Sequence, residues 1–180
     1  MRVFLAINLP DNIRYEMEAI LEEAKQQNDY PGLKWTKPRS LHLTLHFLDE
    51  QDDDAIQKIF NICEQTAKEF KPSDVKVGEW GGFPDLNNPK IIFVSLEDSD
   101  LLINLQKSLG DKLYAQGFEI DTRQFKKHIT LARNKDVREM LNLNLPSIGE
   151  LEWEVKSFEL MKSNLLPDGA EYEVIKSFEL

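Results

Sequence analysis

The stretch Leu41-His42-Leu43-Thr44-Leu45-His46-Phe47-Leu48 alternates apolar and polar side chains from Leu41 to Phe47. A period of two is the signature of a half-buried strand, so the leucines are expected to face a core. His42, Thr44 and His46 are then expected to share the opposite face. A near-copy, Phe125-Lys126-Lys127-His128-Ile129-Thr130-Leu131-Ala132, follows with its histidine 86 residues after His42. Of the three histidines in the chain, two have a threonine two residues on.

Around these strands the sequence sets out regular elements. Val3 to Ile7 is a short apolar run typical of a buried strand. Pro10 and Asp11 open a helix whose stripe is Ile13, Met17, Ile20, Leu21 and Ala24. Asp52, Asp53 and Asp54 open a second, with Ile56, Ile59, Phe60, Cys63, Ala67 and Phe70 as its stripe and Pro72 as its stop. A strand at Val75 and Val77 precedes a turn-rich stretch from Gly81 to Pro89, and Ile91 to Leu96 reads as another buried strand. Ser99 or Asp100 caps a third helix carrying Leu102, Leu105, Leu109 and Leu113 and ending at Gly117. After the second motif a short helix is expected around Val137, Met140 and Leu141. Tail strands at about 150–162 and 171–179 are joined by Pro167-Asp168-Gly169, and Lys-Ser-Phe-Glu-Leu occurs in both, at 156–160 and 176–180.

Strand, helix, motif strand and helix begin near 3, 13, 42 and 54 and again near 91, 101, 128 and 135. This order predicts a single two-lobed domain over residues 1–180 with an internal duplication. Copy one covers about 2–70, copy two about 90–143, and a tail hairpin about 150–180. Paired units of this kind pack about a pseudo-two-fold axis, which would bring the two motif strands together across a cleft. The expected fold class is α+β: two pseudo-symmetric lobes, each a mostly antiparallel sheet with helices on its outer face.

Charge and composition narrow the partners. No apolar run reaches the eighteen or so residues needed to span a bilayer, and the N-terminus is too short in its apolar run for a secretory signal. Cys63 is the single cysteine and falls within an apolar helical stripe, so it reads as core packing in a reducing, cytoplasmic protein. A net charge of −10 argues against general nucleic-acid coating or binding to anionic membranes. Positive charge is local: Lys34, Lys37 and Arg39 lie just before the first motif. Arg123, Lys126, Lys127, Arg133, Lys135 and Arg138, set against Asp136, surround the second. The pattern predicts a phosphate trap beside the motifs.

Metal binding would need His42 and His46 to share an ion. On a strand they lie about 13 Å apart at about 3.3 Å per residue, too far for bonds near 2 Å. No serine-nucleophile elbow of the G-x-S-x-G kind is present. Paired acid–base chemistry fits better. Two imidazoles can act near neutral pH with one neutral and one protonated, while threonine hydroxyls bond the oxygens of a phosphate. This needs neither metal nor cofactor. His46 lacks a threonine at the motif spacing, and Ala132 stands in its place in the second copy.

The paired His-x-Thr motifs resemble those of the two-histidine (2H) phosphoesterase superfamily. The whole chain is most similar to the bacterial and archaeal RNA 2′,3′-cyclic phosphodiesterases, also called 2′-5′ RNA ligases. The resemblance runs through Arg2-Val3-Phe4-Leu5-Ala6-Ile7-Asn8-Leu9-Pro10, Trp35-Thr36-Lys37-Pro38, both motifs with Arg133, and Phe83-Pro84. It continues into Leu165-Leu166-Pro167-Asp168-Gly169-Ala170-Glu171-Tyr172. It implies RNA processing: hydrolysis of terminal 2′,3′-cyclic phosphates to 2′-phosphates, with a 2′-5′ ligase activity in reverse. His42 would be the proton donor and His128 the proton acceptor, with Thr44, Thr130 and Arg133 binding substrate. The implied partners are RNA or oligonucleotide ends bearing the cyclic phosphate, with no DNA and no membrane, and the implied state is a monomer. Trp35 and Phe83 could stack a base or simply anchor loops. Two rival readings stay open. One is a superfamily enzyme acting on a small cyclic nucleotide or ADP-ribose cyclic phosphate; the other is a nucleotide- or RNA-binding module without turnover.

Overall fold

Strand formation follows the apolar runs, and every observed strand pairing is antiparallel. The computed structural model describes residues 1–136, 138, 140–166 and 169–180. Its strands are β1 (Arg2–Asn8), β2 (Leu33–Trp35), β3 (His42–Glu50), β4 (Ser73–Phe83), β5 (Ile91–Leu96), β6 (His128–Asn134), β7 (Glu152–Val155), β8 (Ser157–Leu166) and β9 (Gly169–Glu179). They form one α+β sheet in the order β7-β4-β5-β6-β3-β1-β8-β9, with β2 paired to β6. The two motif strands are therefore central neighbours, joined where Leu43 faces Ile129.

Three helices back this sheet: α1 (Asp11–Gln27), α2 (Asp53–Ala67) and α3 (Asp100–Ala115). Their buried stripes, such as Met17, Ile59 and Leu105, join Leu5, Leu43, Val94, Ile129 and Leu131 of the strands in one continuous core. The helix starts are fixed locally. Asp52 accepts from the Ala55 N–H and Ser99 from the Leu102 N–H, and each such cap is worth about 1 kcal/mol. Gly117, at φ +87°, turns the chain out of α3 as expected for a glycine just past a helix end. Cys63 is fully buried in this core, and burial pushes its thiol far above the ordinary range. Among the described residues no helix is long and apolar enough to cross a membrane.

Three expectations need correction. First, β4 runs unbroken through Gly81, Gly82 and Phe83, where turns are expected from sequence. Gly81 lies opposite Phe93, and its missing side chain makes room for the Phe93 ring to lie across the strand. Second, among the described residues no helix forms near residue 140. Val137 lies outside the described residues, Met140 is exposed and Leu141 is in irregular chain. Backbone groups there are taken by distant partners: Leu141 N–H donates to Asn87 O, Asn142 N–H to the Tyr30 hydroxyl, and Asn144 N–H to Asn28 Oδ1. Third, the tail contains β7 as a separate strand paired with β4, ahead of the β8–β9 hairpin. The two Lys-Ser-Phe-Glu-Leu segments pair with each other, Phe158 against Phe178; Pro167 and Asp168 of the connecting turn lie outside the described residues.

Candidate active site

On β3 and β6 the alternation is interrupted at matching places. Leu5 pairs with His46 and Ala6 with Thr44, so Leu45 is an extra residue in β3. Ile92 pairs with Ala132 and Phe93 with Thr130, so Leu131 is its counterpart in β6. Each is a β-bulge, and beyond it the inward and outward faces exchange. His46 is consequently 4% exposed on the helix side, while Phe47 is 56% exposed on the other. The expectation that His46 shares a face with His42 and Thr44 is thus overturned. His46 Nε2 bonds Gln106 O of α3 at 2.7 Å, and its ring lies over Gly110, where a Cβ would come within 2.9 Å of Cε1. His42 and His46 point to opposite sides of the sheet and cannot share an ion.

What remains on the open face is a four-residue centre. Counting outward from the Leu43–Ile129 pair, an antiparallel ladder sets His42 opposite Thr130 and Thr44 opposite His128. All four side chains are half-buried. Their local geometry repeats. His42 Nδ1 meets Ser40 O at 2.7 Å, and His128 Nδ1 meets Lys126 O at 2.6 Å, in each case the carbonyl two residues earlier. A carbonyl oxygen only accepts, so each Nδ1 carries the hydrogen and each Nε2 is left for chemistry. His42 Nε2 lies 3.1 Å from Thr44 Oγ1. His128 Nε2 has no hydrogen-bond partner among the described residues.

Burial holds both imidazoles below their usual range, against the pull of the two carbonyls. The guanidinium of Arg133 lowers both further, which places Arg133 within electrostatic reach of the pair. His42 is also lowered by His128, and His128 by Lys126. Arg133 is exposed and follows the β6 bulge as Phe47 follows that of β3. The five residues expected at the site, His42, Thr44, His128, Thr130 and Arg133, are therefore brought to one face.

Aromatic rings wall each histidine. Phe4 and Tyr172 lie 5.0 Å from the His42 ring, Tyr172 reaching it from the β8–β9 hairpin. Arg39 ties that hairpin down through an ion pair with Glu171 at 2.6 Å. Phe83 and Phe93 lie 5.1 and 5.2 Å from the His128 ring. Of the two aromatics singled out from sequence, Phe83 is at the site, whereas Trp35 packs into the core beside Leu33 and Ala132. Sequence reasoning missed Phe4, Phe93 and Tyr172. Phe4 lies in a continuous apolar run that does not mark a face, and all three depend on cross-strand register.

The expected phosphate trap is smaller than the residue count implied. Arg123 is paired with Asp121, Lys127 with Asp98, Arg138 with Asp136 and Arg39 with Glu171. Among the described residues no carboxylate pairs with Arg133 or Lys126. Lys126 Nζ rests over the Phe83 ring, 5.1 Å from its centroid.

The description "LigT like Phosphoesterase" belongs to a family model that matches residues 7–93 and 94–172. An RNA 2′,3′-cyclic phosphodiesterase of Methanocaldococcus jannaschii is 31% identical over 183 residues, spanning 99% of this chain and 100% of the relative. One from Archaeoglobus fulgidus is 30% identical over 184 residues, with the same coverage of 99% and 100%. The crystal structure of TT0787 of Thermus thermophilus superimposes with a TM-score of 0.86 at 30% identity, covering 100% of this chain and 98% of that one.

Proposed function

The chain belongs to the LigT-like phosphoesterase family, and from that membership we propose how it works as an RNA 2′,3′-cyclic phosphodiesterase. Water attacks the phosphorus of the cyclic phosphate as His128 Nε2 takes its proton. The P–O3′ bond breaks, and His42 Nε2–H protonates the departing 3′ oxygen. The product is a 2′-phosphate beside a free 3′ hydroxyl. The pair must then return one proton from His128 to His42 through solvent before the next turnover. Thr44 and Thr130 hydroxyls and the Arg133 guanidinium hold the non-bridging oxygens, whose charge grows as the fifth bond to phosphorus forms.

The observation carrying this reading is the pair of Nδ1–H bonds to Ser40 O and Lys126 O, which leave both Nε2 atoms on one face. Assigning the acid to His42 follows the family resemblance; the Nδ1–carbonyl contact is the same at both histidines. The test is to incubate the protein with EDTA and an oligoribonucleotide ending in a 2′,3′-cyclic phosphate, 2′,3′-cyclic mononucleotides, or ADP-ribose cyclic phosphate. A 2′-phosphate from the oligonucleotide, identified by phosphorus NMR, is expected. A 3′-phosphate product, or activity abolished by EDTA and restored by zinc, would refute the mechanism. Turnover of ADP-ribose cyclic phosphate alone would move the substrate to the rival class.

A further inference from the structure

Lys126 has two attachments to the site that do different things. Its carbonyl orients His128, and its ammonium sits 5.1 Å above the centre of the Phe83 ring. That ring stands perpendicular to His128 with centroids 5.1 Å apart, so the ammonium is one ring removed from the imidazole. Lys126 is felt by His128 but, unlike Arg133, is not among the groups that shift His42. It therefore lies outside the four-residue centre, on the His128 side. Three cations nearby in sequence, Arg123, Lys127 and Arg138, are tied to aspartates. Lys90 precedes β5 at the end where Ile91 pairs with Arg133, away from His128.

An RNA end carries two kinds of phosphate close together, the reacting cyclic one and the phosphodiester 5′ of the same ribose. A 2′,3′-cyclic mononucleotide has only the first. We propose that Lys126 binds the 5′ phosphodiester and so makes the enzyme prefer RNA ends to mononucleotide cyclic phosphates. This rests on the cyclic phosphodiesterase reading above. The Phe83 face acts as a seat that keeps a flexible, exposed ammonium beside His128 through a cation–π contact. With its face covered, Phe83 is not an open platform for a base.

The test compares kcat/KM for a dinucleotide ending in a 2′,3′-cyclic phosphate with that for the matching mononucleotide. Wild type is expected to favour the dinucleotide about tenfold, the scale of one hydrogen bond to a charged group. Lys126→Met keeps the aliphatic stem on Phe83 and should bring the ratio close to one, chiefly through KM for the dinucleotide. Any change in His128 alters both substrates alike and cancels in the ratio. The salt dependence of log kcat/KM for the dinucleotide should also flatten by about 0.7, the value of one single-strand phosphate contact. Lys126→Arg should keep the preference. An unchanged ratio in Lys126→Met, or equal loss on both substrates, would overturn the proposal while leaving the phosphodiesterase reading intact. Failure of wild type to turn over either substrate would remove both.

Discussion

Gly110→Ala in α3 should destabilise the protein, although alanine is the better helix former. Propensity favours alanine in a helix interior by about 1 kcal/mol. Against this, the new Cβ would come within 2.9 Å of His46 Cε1 and 3.1 Å of Nε2. His46 is 4% exposed and cannot swing into solvent. Overpacking of this kind costs about 1–3 kcal/mol. Straining the 2.7 Å bond from His46 Nε2 to Gln106 O adds about 1–3 kcal/mol, since the imidazole is buried. The balance is a loss of about 1–5 kcal/mol, or roughly 2–20 °C in Tm for a chain of this size. Urea unfolding and calorimetry of Gly110→Ala, His46→Ala and the double variant measure it directly. His46→Ala empties the space that the added methyl group needs, so the double variant should lose at least about 1 kcal/mol less than the two singles together. A stabilised Gly110→Ala, or strict additivity, would refute the packing argument.

His42→Ala and His128→Ala should each lower kcat by about 10²–10⁴-fold without changing the unfolding midpoint much, as single-turnover kinetics and urea melts would show. Thr44→Val and Thr130→Val should cost about 1–3 kcal/mol of transition-state stabilisation apiece in kcat/KM. Arg133→Met should lower kcat/KM and move its pH bell to higher pH. Burial is the larger cause of the lowered histidine values, but losing the cation lets both imidazoles hold their protons to higher pH; an acid-going shift would disprove its place. Stability should fall as pH drops below about 6.5. His42, His46 and His128 are all lowered in the folded chain, so the unfolded state binds protons first. Urea midpoints from pH 7.5 to 5 measure this slope, which should be shallower in His46→Gln; no slope would contradict the assignment.

The sequence carried the elements whose signal is local. Helix stripes such as Leu102, Leu105, Leu109 and Leu113 are buried as read, and the two His-x-Thr motifs stand on neighbouring strands. It could not carry the bulges at Leu45 and Leu131. A bulge is chosen by pairing with β1 and β5, and a single extra residue reverses every later side chain. For that reason an unbroken alternation puts His46 and Phe47 on the wrong faces. The helix expected near Met140 failed because Asn28, Tyr30 and Asn87, remote in sequence, offer that segment other hydrogen bonds. Charge counting overstated the phosphate trap for two reasons: Asp98 becomes the partner of Lys127 only through the fold, whereas Asp121 and Asp136 sit two residues from Arg123 and Arg138 and neutralise them locally.

A site built from two matching His-Thr pairs has a degeneracy. Turned by half a rotation, a cyclic phosphate would meet the same groups in exchanged order, and two binding poses would be equally populated. The residues that follow the bulges lift this degeneracy, because Phe47 presents an uncharged ring where Arg133 presents a cation. An energy difference of about 1.4 kcal/mol between poses suffices for a tenfold bias. Direction in the reaction, as opposed to the capacity for it, is then expected to depend on what flanks the two motifs: Phe47 against Arg133, and Lys126 on the His128 side alone. Exchanging Phe47 and Arg133, with Phe47→Arg and Arg133→Phe in one chain, should weaken the bias between the two poses rather than abolish binding.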